Sequence, residues 1–511
     1  MASDTKGLRL EAIIDGRLSV EASARCFWWE GKWYSKIDFS RLTDKIETAL
    51  REFGFKKGQR IIVMMANCPA FPALSLAAWR IGGAVVPLNV KSGTASLVRT
   101  LELIEPYAVI LSETGYGDIA PVLLEHGFGC LACGPMGDFS DLDSSRAMFR
   151  ESSILTPDIA VLFVTSGTTG LPKAVPLSHG NIYDNCVGMW DIVIPLEKGD
   201  VFLNVMPNFH TIGYTIGNIL PLVMDTAQAI VPAFMPPKNC VRAISEAKVN
   251  IMFVVPAVAA YLLTAVERGE APKDLFSHFK IIITGGDKLS DHLHDMALRI
   301  AGIDLVEGYG LTETSPAIAI NRDYATHRRG TVGPFLKSYE WRLKTEKGED
   351  APGNEGVLWV RGPSVAERYF RAPEATAERF IDGWFNTGDY VKVEDGYVTI
   401  LDRVTDIIIV GGFNVYPQEV ELILNGHPAV RTAIVVGITA KLSGQIPKAF
   451  VTKEPGVRVT ERELINYCKK HMAHYKVPRK VEFIDEFPIS PTGKILRRTL
   501  RERERENLGS K

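Results

Sequence analysis

The sequence predicts an α/β protein: a large N-terminal body of parallel-rich sheets with helices plus a small antiparallel barrel-like part, and a small α+β C-terminal domain. Three observations predict it. Short β-branched runs alternate with helical patterns through the first part of the chain, the rhythm of parallel sheets covered by helices. Near residue 340 the texture changes to short strands separated by turns. After Asp402-Arg403 comes a compact tail of strands and helices. The boundary is set there, with residues 1–401 as the body and 402–511 as a lid of ordinary domain size.

In the body, Arg60-Ile61-Ile62-Val63-Met64-Met65 reads as a buried strand, residues 70–82 as a helix and Ala84-Val85-Val86-Pro87-Leu88 as the next strand. Tyr107 to Leu111 is a further short apolar run, and 160–164, 251–255 and 280–284 are strand candidates with helical stretches between them. Trp341-Arg342-Leu343, Gly356 to Val360 and Tyr397 to Ile400 look antiparallel, each bounded by turn residues. In the tail, Ile407–Val410, Thr432–Val436 and Ala449–Thr452 read as strands, with helices over Pro417–Leu424 and 460–473. The end of the chain, from Arg497 to Arg503, is a charged amphipathic stretch.

The chain of 511 residues is long enough for about three folding units, or one large body with a satellite. Its 46% hydrophobic and 23% charged content is that of a soluble globular protein. A net charge of −2 provides no global positive field for nucleic acid or an anionic membrane. Seven scattered cysteines argue against a disulfide framework and for a reducing compartment. Cys130 and Cys133 form one C-x-x-C without the second pair that a zinc ribbon needs, so they read as ordinary thiols. The start lacks a basic segment followed by a long apolar run, and the stretch Pro72 to Leu88 is too short and too interrupted to span a bilayer. The last residues are not a peroxisomal address, and cytoplasm is the expectation.

An apolar run, Val161-Leu162-Phe163-Val164, leads into Thr165-Ser166-Gly167-Thr168-Thr169-Gly170-Leu171-Pro172-Lys173. Gly167 and Gly170 permit tight turning, with several N–H groups aimed inward. The hydroxyls of Thr165, Ser166, Thr168 and Thr169 can bond phosphate oxygens, and Lys173 adds a point charge. The spacing is not that of a Walker A loop. Alone, Gly-Thr-Thr-Gly is as readily a surface turn. The preceding strand, Pro172-Lys173 and the following Leu177-Ser178-His179-Gly180-Asn181 favour a polyphosphate cradle.

With these residues in order, the sequence resembles the acyl-adenylate-forming superfamily, in character closest to acyl-CoA synthetases that act on fatty or aryl acids. The run from Val164 to Asn181 is similar to that family's phosphate-loop signature almost residue for residue, and further matches continue in order to residue 494. The resemblance implies a large body with a mobile C-terminal domain.

Ile281-Ile282-Ile283-Thr284 runs into Gly285, Gly286 and Asp287, and a second apolar run leads to Glu307, Gly308, Tyr309, Gly310, Leu311, Thr312 and Glu313. Tyr309 can stack an adenine, with Gly308 and Gly310 permitting close approach. Thr312 can bond the phosphate that becomes the adenylate, and Glu313 is a hard oxygen ligand suited to Mg2+. Most relatives carry Gln at position 307 and often Ala or Glu at 287, so these adenine contacts depart from the family pattern. The resemblance assigns Asp389 to the ribose hydroxyls and Arg403 to ribose or phosphate; as bare residues both read equally as a solvated turn and a surface cation.

Phe209-His210-Thr211-Ile212-Gly213 resembles the segment walling the acyl pocket, where His210 would close the pocket or gate the thiol path. Val255-Pro256-Ala257 and Gly285-Gly286 should line the same cavity, as should Gly310, with Tyr214 and Ile320 as further candidates. Amino-acid-activating members of the family carry an aspartate near this segment for the substrate ammonium, and Phe209-His210-Thr211 has none; an unpaired ammonium in an apolar pocket would be costly, so the resemblance implies a non-amino acid.

In the lid, Phe487-Pro488-Ile489-Ser490-Pro491-Thr492-Gly493-Lys494 presents one lysine on a punctuated loop. The resemblance implies that Lys494 bridges carboxylate and α-phosphate during adenylation, neutralising two anions that must meet. Asp402 sits at the hinge, where a rotation would exchange active faces, and Gly411-Gly412-Phe413 would line the pantetheine tunnel afterwards. Thr405 and Gln445 depart from the common pattern in this lid. The implied activity is ATP- and Mg2+-dependent activation of a carboxylic acid to acyl-AMP, then transfer to coenzyme A, or alternatively to the phosphopantetheine of an acyl carrier protein. The expected partners are the small-molecule acid, ATP and CoA, without nucleic acid or a transmembrane segment, in a monomer or homodimer.

Overall fold

The computed structural model describes residues 7–90, 94–140, 149, 155–156, 158–166, 172–193, 196–345, 347–404, 406–410, 413–440, 444–489 and 495–509. It is a mixed α/β structure forming two compact units: Met1–Glu340 with Val360–Phe385, and Trp341–Trp359 with Asn386–Lys511.

The first unit is built on two sheets. Among the described residues, one runs in the order Phe139–Ser140, Cys130–Cys133, Ala108–Ser112, Arg60–Met64, Ala84–Pro87, Ile159–Ser166, Pro172–Ser178. Its inner neighbours are parallel, and only the strands at its two ends pair antiparallel. The other runs Ala317–Ile320, Val306–Gly310, Ile281–Gly285, Ile251–Val254, Val201–Asn204, Ala227–Ile230, Arg25–Trp29, Lys32–Ser35, again parallel inside and antiparallel at both ends. The inner strands are continuous apolar runs because both faces are covered, and Ile251–Val254 is buried at every residue. The strand Cys130–Cys133 is likewise wholly buried, and all seven cysteines are free thiols.

The helix Ala70–Ile81 is packed on every side: all but Arg80 are buried. Gly82 ends it in the left-handed region at φ 86°, and the Trp79 indole donates to the Ala160 carbonyl at 2.8 Å. Trp79 is the largest fully buried side chain; full burial of a large apolar side chain contributes about 1.5–3 kcal/mol.

In the second unit, Trp384–Glu394 and Tyr397–Arg403 form an antiparallel ladder that sets Asp389 opposite Arg403 and Tyr390 opposite Asp402. A further sheet, of strands Phe413–Val415, Ile408–Val410, Gly444–Lys453 and Val430–Ala440 with Lys480–Phe483 on the third, packs helices Pro417–Asn425 and Glu461–His471 around its own apolar core. No helix among the described residues is long and apolar enough to cross a membrane.

Candidate active site

The phosphate-loop motif forms a hairpin. Ile159–Ser166 and Pro172–Ser178 pair antiparallel, placing Thr165 opposite Lys173 and Ser166 opposite Pro172 at its tip. Gly167, Thr168, Thr169, Gly170 and Leu171 lie outside the described residues, as does the side chain of Ser166. The Thr165 hydroxyl donates to the Lys173 carbonyl at 3.3 Å. Ser178 then starts the helix His179–Ile192 with a reciprocal cap to Asn181.

The other motifs meet at one sheet edge. Strands Ile251–Val254, Ile281–Gly285 and Val306–Gly310 are parallel, with Val254 beside Thr284 and Gly285 beside Gly308. Their carboxyl ends therefore deliver Val255, Gly285-Gly286-Asp287 and Tyr309 to Glu313 together, where open parallel sheets hold ligands. A Cβ on Gly310 would collide with the Pro316 carbonyl, and one on Gly285 would meet the Gly308 carbonyl at 2.9 Å, so neither tolerates a side chain.

Thr312 and Glu313 lie in a single 3-10 turn, Thr312–Thr314. Residues far off in sequence fix it. Asn185 donates to the carbonyls of Thr314 (3.1 Å) and Ala317 (2.8 Å) and accepts from the Ala317 N–H. The Tyr339 hydroxyl donates to Thr314 O at 2.8 Å, and Ser315 donates to Ser364 O at 2.8 Å. Asn181 ties the same helix to the carbonyls of Pro363 and Val365, and the Ser364 hydroxyl donates to the Asp184 carboxylate at 2.6 Å.

The phosphate hairpin and the Glu313 turn are brought together. The Tyr369 hydroxyl donates to Glu313 Oε1 at 2.7 Å, and the Lys173 Nζ lies 5.3 Å from the centre of the Tyr369 ring. The backbone repeats the connection: Ala366 N–H donates to Glu313 O and Phe370 N–H to Ala174 O, both at 2.8 Å. Tyr369, Asn185 and Asn181 stand outside the sequence-based list of site residues. Only the run of Gly362 to Thr376 after a strand could have drawn attention to Tyr369.

Beside these elements lies a pocket partly open to solvent, whose roughly 450 Å³ of empty space includes open solvent. Gly285, Gly286, Gly308, Tyr309 and Gly310 form one wall; Ile212, Ile216, Phe253, Ile283, Met189 and Ile320 close it, and among the described residues no charged side chain lines it. Val255 flanks it, since a Cβ on Gly286 would lie 3.6 Å from Val255 Cγ1. Pro256 and Ala257 begin the next helix and do not reach the wall. Tyr214 is corrected: it is fully buried, donates to Ser75 Oγ at 3.0 Å and packs edge-on to Phe71 and Phe163. The reason is a π-helix over Ile212–Ile219, whose wide turn presents Ile212 and Ile216 to the cavity instead. Phe209 and His210 precede this helix and are not wall residues; His210 Nδ1 accepts from the Ile212 N–H at 3.3 Å.

Glu307 is buried, and burial pushes its carboxyl up to about 7 against the opposing bond from the Gly330 N–H. Asp287 is exposed and accepts from the Lys288 N–H. Farther along, His294, Asp304 and His327 place three ligand-type atoms within 4.8 Å of one another. Asp304, however, already accepts from His294 at 2.6 Å and from Arg329 at 2.9 Å. A guanidinium in that shell opposes a cation, and the cluster is a charge network.

In the second unit, Asp389 is buried and paired with Arg403 Nε at 2.8 Å. Asp402 is buried too. Its carboxylate accepts from the N–H groups of Arg403 (2.8 Å) and Gln418 (3.1 Å), the second lying at the start of helix Pro417–Asn425. Burial pushes its carboxyl up to about 6. Gln445 accepts from the Ile409 N–H. Thr405, Gly411, Gly412 and Lys494 lie outside the described residues, as does the side chain of Phe413; Ile489 and Ile495, flanking the lysine loop, pair antiparallel.

Residues 17–370 match the model of the AMP-binding enzyme family, and residues 419–494 that of the AMP-binding enzyme C-terminal domain. The chain is 32% identical to a feruloyl-CoA synthase of an Amycolatopsis species over 98% of this chain and 99% of that one. Among solved structures, ATP-bound MatB from Rhodopseudomonas palustris superposes with a TM-score of 0.86 at 28% identity, covering 97% of this chain and 98% of that one. The o-succinylbenzoate CoA synthetase MenE from Bacillus subtilis, in complex with its acyl-adenylate intermediate, gives 0.81 at 25% identity, covering 96% and 97%.

Proposed function

The chain belongs to the AMP-binding enzyme family, and on that premise we propose that it is an AMP-forming acid–CoA ligase acting on a neutral, non-amino aryl acid. One observation carries the reading. Lys173 and Glu313 share Tyr369, and the glycine wall beside Tyr309 borders a cavity without charge.

In the first step a carboxylate oxygen attacks the α-phosphorus of ATP, the bond to the β-phosphate oxygen breaks, and pyrophosphate leaves with that electron pair. Thr165, Ser166, Gly167, Thr168, Thr169, Gly170 and Lys173 cradle the phosphates. Gly286, Asp287, Glu307, Gly308, Tyr309 and Gly310 hold the adenine, and Asp389 with Arg403 the ribose. Thr312 bonds the α-phosphate, and Lys494 neutralises the meeting anions. Glu313 suits Mg2+, because Tyr369 occupies Oε1 and leaves the second oxygen for a hard cation; the ion supplies charge neutralisation to the phosphates. In the second step the CoA thiolate attacks the acyl carbon, and AMP leaves. Between the steps the lid, residues 402–511, turns about Asp402, and Gly411, Gly412 and Phe413 take the thiol-path role that the family resemblance gives them. No protein nucleophile is needed, so the catalysis is positioning and charge neutralisation.

The cavity restricts the acid. A second carboxylate or an ammonium would be buried unpaired among Ile212, Ile216, Phe253 and Ile320. A cytoplasmic location accords with seven buried, unpaired thiols. The test is acid-dependent exchange of labelled pyrophosphate into ATP across hydroxycinnamic, benzoic, fatty and amino acids, followed by CoA-dependent AMP release. Absence of exchange with every acid would refute the reading.

A further inference from the structure

Tyr369 belongs to none of the sequence motifs, yet it touches two residues that the proposed chemistry needs most. Its ring face lies 5.3 Å from the Lys173 ammonium, and its hydroxyl donates to Glu313 Oε1 at 2.7 Å. An ammonium and a carboxylate confined to one partly buried cleft attract strongly, and a direct pair would withdraw both from a ligand. Among the described residues, no ion pair joins Lys173 to Glu313, and each instead meets Tyr369, Lys173 at the ring face and Glu313 at the hydroxyl. We propose that Tyr369 is a positioning residue, a spacer that keeps this cation and this carboxylate apart and open to a magnesium-bound triphosphate. The inference rests on the reading of Lys173 and Glu313 as triphosphate ligands.

The ring is held for this task. Tyr369 is buried, its N–H donates to Thr376 Oγ1 at 3.0 Å, and Phe380 meets it edge-on at 5.3 Å. The backbone ties from Ala366 to Glu313 and from Phe370 to Ala174 do not pass through the side chain. Loss of the phenol therefore leaves the Glu313 turn and the hairpin strand attached to the same segment, and a purely architectural role is separable from a positioning one. A donor that orients a metal-binding carboxylate commonly changes metal affinity by about 10–100-fold when removed.

The full chain is tested with three variants. Tyr369→Phe keeps the spacer and loses the donor: ATP affinity by calorimetry in EDTA stays within about two-fold, while the Mg2+ needed for half-maximal pyrophosphate exchange rises about ten-fold. Tyr369→Leu removes the aromatic face, and ATP affinity in EDTA falls about ten-fold as Lys173 closes on Glu313. Adding Glu313→Gln to Tyr369→Leu releases Lys173 and restores that affinity to within about three-fold of the unmodified chain. A wild-type Mg2+ requirement in Tyr369→Phe overturns the proposal, as does a double variant that binds ATP no better than Tyr369→Leu. Should Tyr369→Leu fail to fold, the Tyr369→Phe requirement decides alone. If the unmodified chain exchanges pyrophosphate with no acid, the functional reading fails instead, and calorimetry in EDTA still judges the spacer.

Discussion

Around the Thr312–Thr314 turn, position is fixed mainly by neutral groups: Asn181, Asn185, Ser315 and Tyr339 bond to backbone carbonyls and N–H groups, and the Asp184 carboxylate enters only through the Ser364 hydroxyl. Around Asp402 it is fixed by charge. Arg403 pairs with Asp389, Arg497 with Glu421, Arg501 with Asp406, and Lys448 with both Glu482 and Glu504. Neutral bonds in a buried network are indifferent to pH and salt. Buried ion pairs answer to both, and removing one partner leaves the other uncompensated. The proposed roles follow the same division: a phosphate site that must be ready before ATP arrives, and a lid that must change state between two steps.

The largest effect expected from breaking this contrast comes from the lid's lysine. Lys494→Ala should cut pyrophosphate exchange roughly 10³-fold while leaving the urea unfolding of the chain unchanged. Asn185→Ala should then destabilise the first unit by roughly 3–4 kcal/mol, because three hydrogen bonds go and their buried partners stay. That loss should be the same at pH 5 and pH 8; a pH-dependent loss in urea titrations would contradict the neutral character of the network.

Asp402 supplies the opposite signature. Its folded carboxyl, raised to about 6, lies above the ordinary value of 3.8, so the folded state binds the proton more tightly than the unfolded chain. Its contribution is most favourable below pH 4 and is lost as pH rises to about 6, by roughly 3 kcal/mol. The stability margin of the unmodified protein over Asp402→Asn should shrink by that amount between pH 4 and pH 7, read from urea midpoints.

Glu307 sharpens the comparison, as a charge-bearing group within the neutral region. With its carboxyl raised to about 7 from 4.5, it stabilises below pH 4.5 and loses that contribution as pH climbs to 7. Glu307→Gln, which keeps an acceptor for the Gly330 N–H, should gain roughly 3 kcal/mol over the unmodified protein at pH 8 and nothing at pH 4. Equal melting temperatures at pH 8 would refute it.

What the sequence made legible was local. The strands at 60, 84, 251 and 281 announced themselves as short β-branched runs, and the hairpin around Thr165 and Lys173 as an apolar run entering a glycine-rich turn. Parallel pairing then brought Gly285, Tyr309 and Glu313 to one edge without further instruction. The illegible parts depend on partners far apart in the chain. Tyr369 meets Glu313 across 56 positions, and Asn185 meets Thr314 across 129. The placement of Tyr214 away from the lining of this pocket was illegible for a subtler reason. The two polar residues of the run from Ile212 to Val223, Thr215 and Asn218, are themselves buried, so polarity does not mark which face is turned to the cavity, and an ordinary helical period misplaces its side chains.

That π-helix has a consequence for the wall. A π-turn is an α-helix carrying one surplus residue, and here Leu220 N–H reaches back five positions to the Thr215 carbonyl. Gly213 is locked at its start, since any Cβ there would strike the carbonyl oxygens of Met206 and Pro207. With the entry pinned and the surplus downstream, removal of one residue between Tyr214 and Ile219 would rewind the coil and turn Ile216 relative to the wall it lines. The shape of that wall thus depends on the length of this stretch as well as on which side chains stand in it.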